Sequence, residues 1–153
     1  MGFAMPHVIE TYRGTVFPWE CDANGHMNVR FYVAKFDEGT WQFMAQIGAS
    51  RDELKRRNCG PMAVSQNIAY KRELMPGDTV VVHSSVSALG KTSCRFRHVM
   101  TDTATGEIAA EMEIVGVFVD LAQRKPMPLW PELRAKAERL VAPVAPARAE
   151  QAA

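Results

Sequence analysis

A single long amphipathic helix, set among strand-like segments, dictates the architecture of this chain. Residues 29–47 carry mostly apolar side chains at spacings of three and four, the pattern of a helix with one buried stripe. The residues of the stripe are Val29, Val33, Phe36, Thr40, Phe43, Met44 and Ile47. Asn28 is a favourable N-terminal cap, and Gly48 is typical of the residue that ends a helix. We therefore predict one α-helix over residues 29–47.

The segments on either side of this helix have the composition of β-strands. They are rich in β-branched, aromatic or alternating apolar residues, and Pro- and Gly-containing turns separate them. We predict strands over residues 8–17, 62–74, 79–89, 92–101 and 107–119. Residues 51–58 predict a further helical turn, and residues 130–141 predict a terminal helix. One amphipathic helix against a single curled sheet is an α+β architecture.

The length of the chain sets its domain organisation. Its 153 residues are enough for one domain with a real core and too few for two ordinary domains. We expect a flexible leader at residues 1–7, a single domain at residues 8–141 and a disordered Ala/Pro-rich tail at residues 142–153. No signal peptide is evident, and no apolar run approaches the ~20 residues that span a bilayer. These features predict a cytoplasmic protein without a membrane partner.

Charge and cysteine content argue against several other classes of protein. The net charge of +1 would not steer the chain to nucleic acid, and neither a P-loop nor a G-x-G-x-x-G motif is present. Cys21, Cys59 and Cys94 are odd in number and widely spaced, which favours neither a disulfide framework nor a metal-binding pair. His83 and His98 lie on predicted strands, where we interpret them as satisfied polar residues. We therefore predict no metal site.

The turn at residues 21–28 contains the best candidates for catalytic residues. It places the carboxylate of Asp22, an amide, the imidazole of His26 and a glycine directly before the N-terminus of the helix. That end of a helix offers unpaired N–H groups that can stabilise an oxyanion. A nearby carboxylate can activate water or attack directly, so the parts needed to hydrolyse a thioester are present. The same residue types are also ordinary loop and capping residues, and the residues alone leave both interpretations open.

This turn resembles the D-x-x-G-H-x-N-x-x-x-Y signature of hotdog-fold acyl-CoA thioesterases, the 4-hydroxybenzoyl-CoA thioesterase-like superfamily. The matching residues are Asp22, Gly25, His26, Asn28 and Tyr32. The segments ELMPGDTVVV and TGEIAAEMEIVGVFVD also resemble later parts of the family, so the resemblance covers about residues 8–131. It implies the hotdog fold, in which a curled antiparallel sheet wraps a long central helix.

The resemblance also implies roles for individual residues. Asp22 would be the catalytic carboxylate, and the amide of Val29 would polarise the thioester carbonyl. Asp22, Asn24 and His26 also resemble the D-x-N-x-H motif of plant-type acyl-acyl-carrier-protein thioesterases. By that likeness Asn24 and His26 would orient or activate groups at the site.

The resemblance implies a substrate and an assembly as well. The substrate would be an acyl-CoA, with coenzyme A as part of the substrate and no separate cofactor. Gly25, Asn28, Tyr32 and Phe36 would contact it. In this family two subunits enclose each site, which implies a homodimer or a homotetramer.

Other candidate residues belong to alternatives that the sequence leaves open. A second branch of hotdog thioesterases uses a carboxylate on the helix, where Asp37 and Glu38 lie. Acyl specificity would depend on pocket depth, which side chains such as Thr40 and Met62 would set. Several basic residues could either meet the phosphates of coenzyme A or form a solvated face. These are Lys71, Arg72, Lys91, Arg95 and Arg97.

Rival functions follow from related motifs. Hotdog hydratases resemble D-x-N-P-x-H, but His26 is only four residues after Asp22 and no proline intervenes. A non-catalytic acyl-CoA-binding protein and an acyl-acyl-carrier-protein thioesterase remain alternatives. The wording PWECDxxGHMNVxxYVxKFDE also resembles thioesterases of carnitine and betaine breakdown. That likeness would imply a short, cationic acyl group.

Overall fold

The structure, a computed structural model, describes residues 7–142 of the chain. Its helices are α1 (Val29–Gln46), α2 (Arg51–Arg57) and α3 (Pro131–Glu138), and a short 3-10 turn spans Pro18–Glu20. Its strands are β1 (Ile9–Thr15), β2 (Cys59–Tyr70), β3 (Thr79–Leu89), β4 (Ser93–Asp102), β5 (Ile108–Asp120) and β6 (Lys125–Pro126). All pairings are antiparallel, in the order β1-β3-β4-β5-β2, with β6 paired to β5.

Helix α1 begins and ends within one residue of the predicted bounds. The Asn28 side chain accepts a hydrogen bond from the Arg30 N–H at 3.1 Å, which caps the first turn. After the last turn, Gly48 has a φ of 98°, a conformation that glycine adopts without strain. The prediction of a long helix at this place is confirmed.

The sheet curls around the buried face of α1, and this contact forms the core. The Phe36 ring stacks on His98 of β4 with centroids 5.9 Å apart, and Phe43 stacks on Phe96 at 4.9 Å. Gly39 lets the sheet approach, because a Cβ there would lie 3.2 Å from the Thr11 hydroxyl oxygen. The side chains of Thr11 and Val82, on the sheet, occupy the space that a side chain at position 39 would need. The predicted α+β architecture, with one helix wrapped by a curled antiparallel sheet, is confirmed.

The largest difference from the predicted elements is at β2. The strand begins at Cys59, three residues before the predicted start, and it ends at Tyr70. Pro61 lies inside it, which an edge strand permits because the missing N–H costs no ladder bond on the open side. Residues 71–74 leave the sheet and cross toward the start of α1.

Some sequence features lie at or beyond the limits of the described residues. Most of the predicted leader and tail falls at residues 1–6 and 143–153, outside the described range. Within residues 7–142, no helix is long and apolar enough to cross a membrane. The three cysteines are free thiols, and the described part of the chain holds no cluster of three potential metal ligands.

Candidate active site

The turn before α1 is a closed loop with its ends tied together. The Asn28 N–H donates to the Glu20 carbonyl oxygen at 2.9 Å, and Cys21 forms a β-bridge with Met27 just inside that bond. Within the loop the Asp22 N–H donates to the His26 carbonyl oxygen at 3.0 Å. Gly25 supplies the reversal with a φ of 79°, where a side chain would be strained.

The Asp22 carboxylate is held on both of its oxygens. Oδ1 accepts from the Asn24 N–H at 2.9 Å, and Oδ2 accepts from the Asn28 side-chain amide at 3.0 Å. These bonds, to Asn28 first and Asn24 second, lower the pKa of Asp22 below its ordinary value because they stabilise the charged form. About a quarter of the side chain is exposed, so this fixed anion remains accessible to a small molecule.

His26 lies between two carboxylates. Its Nδ1 is 2.8 Å from Oε1 of Glu73, and its Nε2 is 3.7 Å from Oδ1 of Asp22. A ring nitrogen bonded to a carboxylate fixes the orientation of the imidazole. The other nitrogen is thereby directed toward Asp22.

The start of α1 meets the turn beside a cavity. The Val29 N–H has no acceptor within residues 7–142, while the next N–H, of Arg30, is capped by Asn28. Val29 was predicted in the buried stripe of the helix, but it is 56% exposed, because the first turn of α1 borders a cavity of about 380 Å³ instead of the sheet. The residues that line this cavity are His26, Met27, Val29, Tyr32, Tyr70, Lys71, Arg72 and Glu73. The free N–H, the imidazole and a partly apolar cavity thus share one place.

The cavity wall is built around two tyrosines. The rings of Tyr32 and Tyr70 meet edge to face with centroids 5.1 Å apart. The Tyr32 hydroxyl donates to the Arg72 carbonyl oxygen at 3.2 Å, which ties the segment after β2 to α1. Because Tyr32 is buried and Tyr70 packs against it, the cavity has an aromatic side.

The structure gathers most of the predicted site residues, though not all of them. Asp22, His26, Asn28 and the Val29 amide lie at the junction of turn and helix, and Tyr32 lines the adjacent cavity. Gly25 shapes the loop, and the Asn24 side chain is exposed while its N–H binds Asp22. Phe36 lies elsewhere, fully buried in the core against His98. Its contact with substrate stays a prediction.

The weaker candidates occupy other environments. Asp37 lines a separate small cavity of about 70 Å³ with Thr40 and Met62, between α1 and β2. Glu38 is exposed on the other side of the helix, where it lines a surface groove beside β1. Burial and neighbouring carboxylates raise the pKa of the Cys21 thiol, which disfavours the thiolate.

The predicted basic residues divide into two groups. Arg95 pairs with Glu113 at 2.8 Å, and Arg97 pairs with Glu111 at 2.6 Å, both across β4 and β5. These pairs correspond to the solvated face that the sequence left open as an alternative. Lys71 and Arg72, in contrast, line the cavity. Lys91 belongs to neither group and lies in the turn between β3 and β4.

Sequence reasoning missed Glu73, Tyr70 and Lys35 as residues of this region. Glu73 reaches His26 across 47 positions of sequence, and no local pattern signals such a contact. Lys35 had a detectable signal. It lies on the buried side of α1, between Tyr32 and Gly39, and a cation there requires a partner.

Comparison with known proteins gives this geometry a family. Residues 16–137 match the model of the thioesterase-like superfamily. The chain belongs to this superfamily. Among curated members it is similar to the long-chain acyl-CoA thioesterase FadM of Escherichia coli K12, with 27% identity over 123 residues, 80% of this chain and 92% of the relative. It is also similar to the betainyl-CoA thioesterase of Pseudomonas aeruginosa PAO1, with 24% identity over 136 residues, 89% of this chain and 86% of the relative.

Solved structures agree with this placement in the thioesterase-like superfamily. The YbaW structure from Escherichia coli superposes with a TM-score of 0.72 at 26% identity, covering 85% of this chain and 97% of that chain. The Staphylococcus aureus protein SAV2348, solved in complex with CoA, superposes with a TM-score of 0.81 at 18% identity, covering 91% and 87%. The expected hotdog fold is confirmed.

Proposed function

We propose that this protein is an acyl-CoA thioesterase that hydrolyses a thioester to the free acid and coenzyme A. The observation that carries the proposal is the fixed carboxylate of Asp22 in the turn that leads into α1, whose first residue, Val29, has a free N–H and lines a cavity. Thioester hydrolysis requires a group that delivers water or attacks the carbonyl, and a donor that stabilises the oxyanion. Both requirements have a candidate here, within a superfamily of thioesterases.

The first chemical step takes place at the thioester carbonyl. The carbonyl oxygen accepts a hydrogen bond from the Val29 N–H, which stabilises the negative charge that develops as the carbon is attacked. Asp22 either removes a proton from the attacking water or attacks the carbon itself to form a mixed anhydride. His26, oriented by Glu73, positions the reacting groups.

The second step releases coenzyme A. The carbon–sulfur bond breaks, and the thiolate leaves and takes up a proton to give the free thiol. In the general-base route this yields the acid directly. In the nucleophilic route a water molecule then cleaves the anhydride and restores Asp22. Neither route requires a cofactor, because coenzyme A enters as part of the substrate.

Release of free thiol from purified protein and a panel of acyl-CoAs tests the proposal. The panel contains long-chain, short-chain, aromatic and betainyl esters, since similar proteins are named for long-chain and betainyl substrates. We expect turnover on one class and a loss of at least ~100-fold in kcat for Asp22→Asn, the scale of a general base. Asp52→Asn, which alters an exposed carboxylate on α2, is expected to behave as wild type.

Each rival function predicts a different pattern in this assay. Loss of turnover in Asp37→Asn, with Asp22→Asn active, would assign the chemistry to the helix carboxylate. Binding of acyl-CoAs without turnover on any of them indicates the non-catalytic binding protein. Turnover on acyl-acyl-carrier-protein alone would identify the protein as an acyl-acyl-carrier-protein thioesterase, which catalyses the same hydrolysis on a different carrier.

We also propose that the working unit is a homodimer or a homotetramer. Support comes from the edge of the sheet, where the 12-residue strand β2 pairs only with β5 among the described residues. Residues 62–70 contain no charged side chain, although proteins commonly protect long open edges with charges. Met62, Val64 and Tyr70 are exposed on this strand. A second copy of the chain would cover them and complete the ladder.

A cytoplasmic location fits this function. The three free thiols of the chain are compatible with a reducing compartment, and no cysteine pair within residues 7–142 forms a disulfide. We propose that the reaction takes place in the cytoplasm.

A further inference from the structure

Lys35 is an unusual residue on the inner face of α1. It is the one lysine or arginine that is buried within residues 7–142, with 4% of its surface exposed. An ammonium group removed from water requires nearby acceptors. Its Nζ donates to Glu20 Oε1 at 3.0 Å, to the Tyr12 hydroxyl at 3.2 Å and to the Thr15 carbonyl oxygen at 3.4 Å. One cation thus joins α1 to the end of β1 and the 3-10 turn.

The ion pair connects to the catalytic turn through Glu20. The side chain of Glu20 is 13% exposed, and its second oxygen accepts from the Phe17 N–H at 3.1 Å, so its position is fixed. The main-chain oxygen of Glu20 accepts from the Asn28 N–H at 2.9 Å. The Asn28 side chain then donates to Asp22 at 3.0 Å. Successive hydrogen bonds therefore lead from Lys35 to the Asp22 carboxylate.

We propose that Lys35 and Glu20 are positioning residues of the active site. Their buried ion pair fixes the stem of the loop against α1, and so holds Asp22 at the distance from the Val29 N–H that the reaction needs. This inference rests on the proposed role of Asp22. Small displacements of a catalytic group away from its reactive geometry reduce rates strongly, by up to ~100-fold for a shift of about 1 Å.

The pair acts through geometry. Neither Lys35 nor Glu20 lines the 380 Å³ cavity among the described residues, so loss of the pair should leave substrate binding intact. The bonds from Asn28 and Asn24 lower the pKa of Asp22, and Lys35 forms neither of these bonds. Disruption of the pair is therefore expected to change kcat while KM stays nearly constant.

Steady-state kinetics of Lys35→Met combined with Glu20→Gln tests the inference. The double variant removes both charges, so no unpaired ion is left in the core to prevent folding. We expect kcat to fall at least ~10-fold with KM within about twofold of wild type, and faster hydrogen exchange at the Asn28 amide. The control is Glu10→Gln with Arg13→Met, an exposed pair on β1 with N···O at 2.8 Å, which is expected to leave all three quantities unchanged.

The outcomes separate this inference from the proposed function. A lower melting temperature with unchanged kcat and unchanged Asn28 exchange would mean that the pair only stabilises the fold, and would overturn the inference. If Asp22→Asn is inactive while the Lys35/Glu20 double variant turns over as wild type, the inference fails and the function stands. If Asp22→Asn keeps its turnover, the proposed role of Asp22 fails and the inference fails with it, while the thioesterase activity stands. If wild type turns over none of the thioesters, the proposed function itself fails.

Discussion

His98 lies beneath α1 with none of its surface exposed. Three phenyl rings enclose it, those of Phe36, Phe43 and Phe96. Its Nδ1 is hydrogen-bonded to the Ser84 hydroxyl and its Nε2 to the Thr40 hydroxyl, the latter at 3.0 Å. Both ring nitrogens are therefore satisfied without a charge. Burial lowers the pKa of His98 from 6.5 to about 4, because protonation would place a cation among the rings.

This histidine predicts a loss of stability in mild acid. Below pH 6.5 His98 is mostly protonated in the unfolded chain, whereas in the folded chain it stays mostly neutral down to about pH 4. Unfolding therefore becomes easier as the pH falls through that window, by about 2 kcal/mol between pH 7 and pH 5. Urea denaturation at fixed protein concentration measures the free energy of unfolding at both values. His98→Gln is expected to lose this part of the pH dependence, and a variant with the wild-type slope would refute the assignment to His98.

The residues of the site differ in how far the sequence predicts them. Asp22 and His26 are predictable because they lie within one short motif next to a helix cap, and the resemblance of that motif to the thioesterase signature implies their roles. Glu73 joins them only after β2 and the segment behind it have folded across α1. The ion pair of Lys35 and Glu20 is also closed by the turn between them. Contacts of this kind depend on tertiary packing, so the local hydrophobic pattern of one sequence does not predict them.

At the scale of elements, the N-terminus of α1 has two functions in one residue. Asn28 accepts from Arg30 as the helix cap and donates to Asp22. We expect Asn28→Ala to lower the free energy of unfolding by ~1 kcal/mol, because the helix cap is lost. We also expect it to lower kcat, because the Asp22 carboxylate loses one of the bonds that fix it. Ser50→Ala removes the cap of α2, whose hydroxyl accepts from Glu53 at 3.4 Å, and is expected to lower stability alone.

Asn28→Asp separates the two functions further. An aspartate keeps the oxygen that caps the helix but cannot donate to Asp22, and it adds a second negative charge beside it. The helix cap is therefore kept, any loss of stability in denaturant comes from repulsion between the two carboxylates, and kcat should fall because Asp22 has lost its donor. Equal kcat for Asn28→Asp and wild type would show that the bond to Asp22 has no catalytic role.

The helices and strands follow the sequence pattern except at β2, on the edge of the sheet. The stripe and cap gave α1 its bounds, and alternation placed β3, β4 and β5 closely. The start of β2 was misplaced because Pro61 normally argues against a strand. Its position on an edge is a property of the whole sheet order, which the local pattern does not contain.

At the scale of the whole molecule, the site and the open sheet edge are neighbours. The cavity is lined by Tyr70, the last residue of β2, and by residues 71–73 that follow it. The opposite wall comes from the start of α1. A second chain added along β2 would therefore lie beside the cavity and could narrow its mouth. Assembly and catalysis are expected to be linked for this reason.

A charge on the open edge tests that link. Val64, 62% exposed on β2, would become a buried side chain if two copies pair along this strand, and Val64→Lys would then place an ammonium in the interface. We expect wild type to sediment as a dimer or tetramer, and Val64→Lys to sediment as a monomer with reduced thiol release. Ile108→Lys, at the exposed start of β5, introduces the same charge away from the edge and should keep both the mass and the activity. A Val64→Lys variant with the wild-type mass would exclude β2 as the interface, whereas a fully active monomer would break the link between assembly and catalysis.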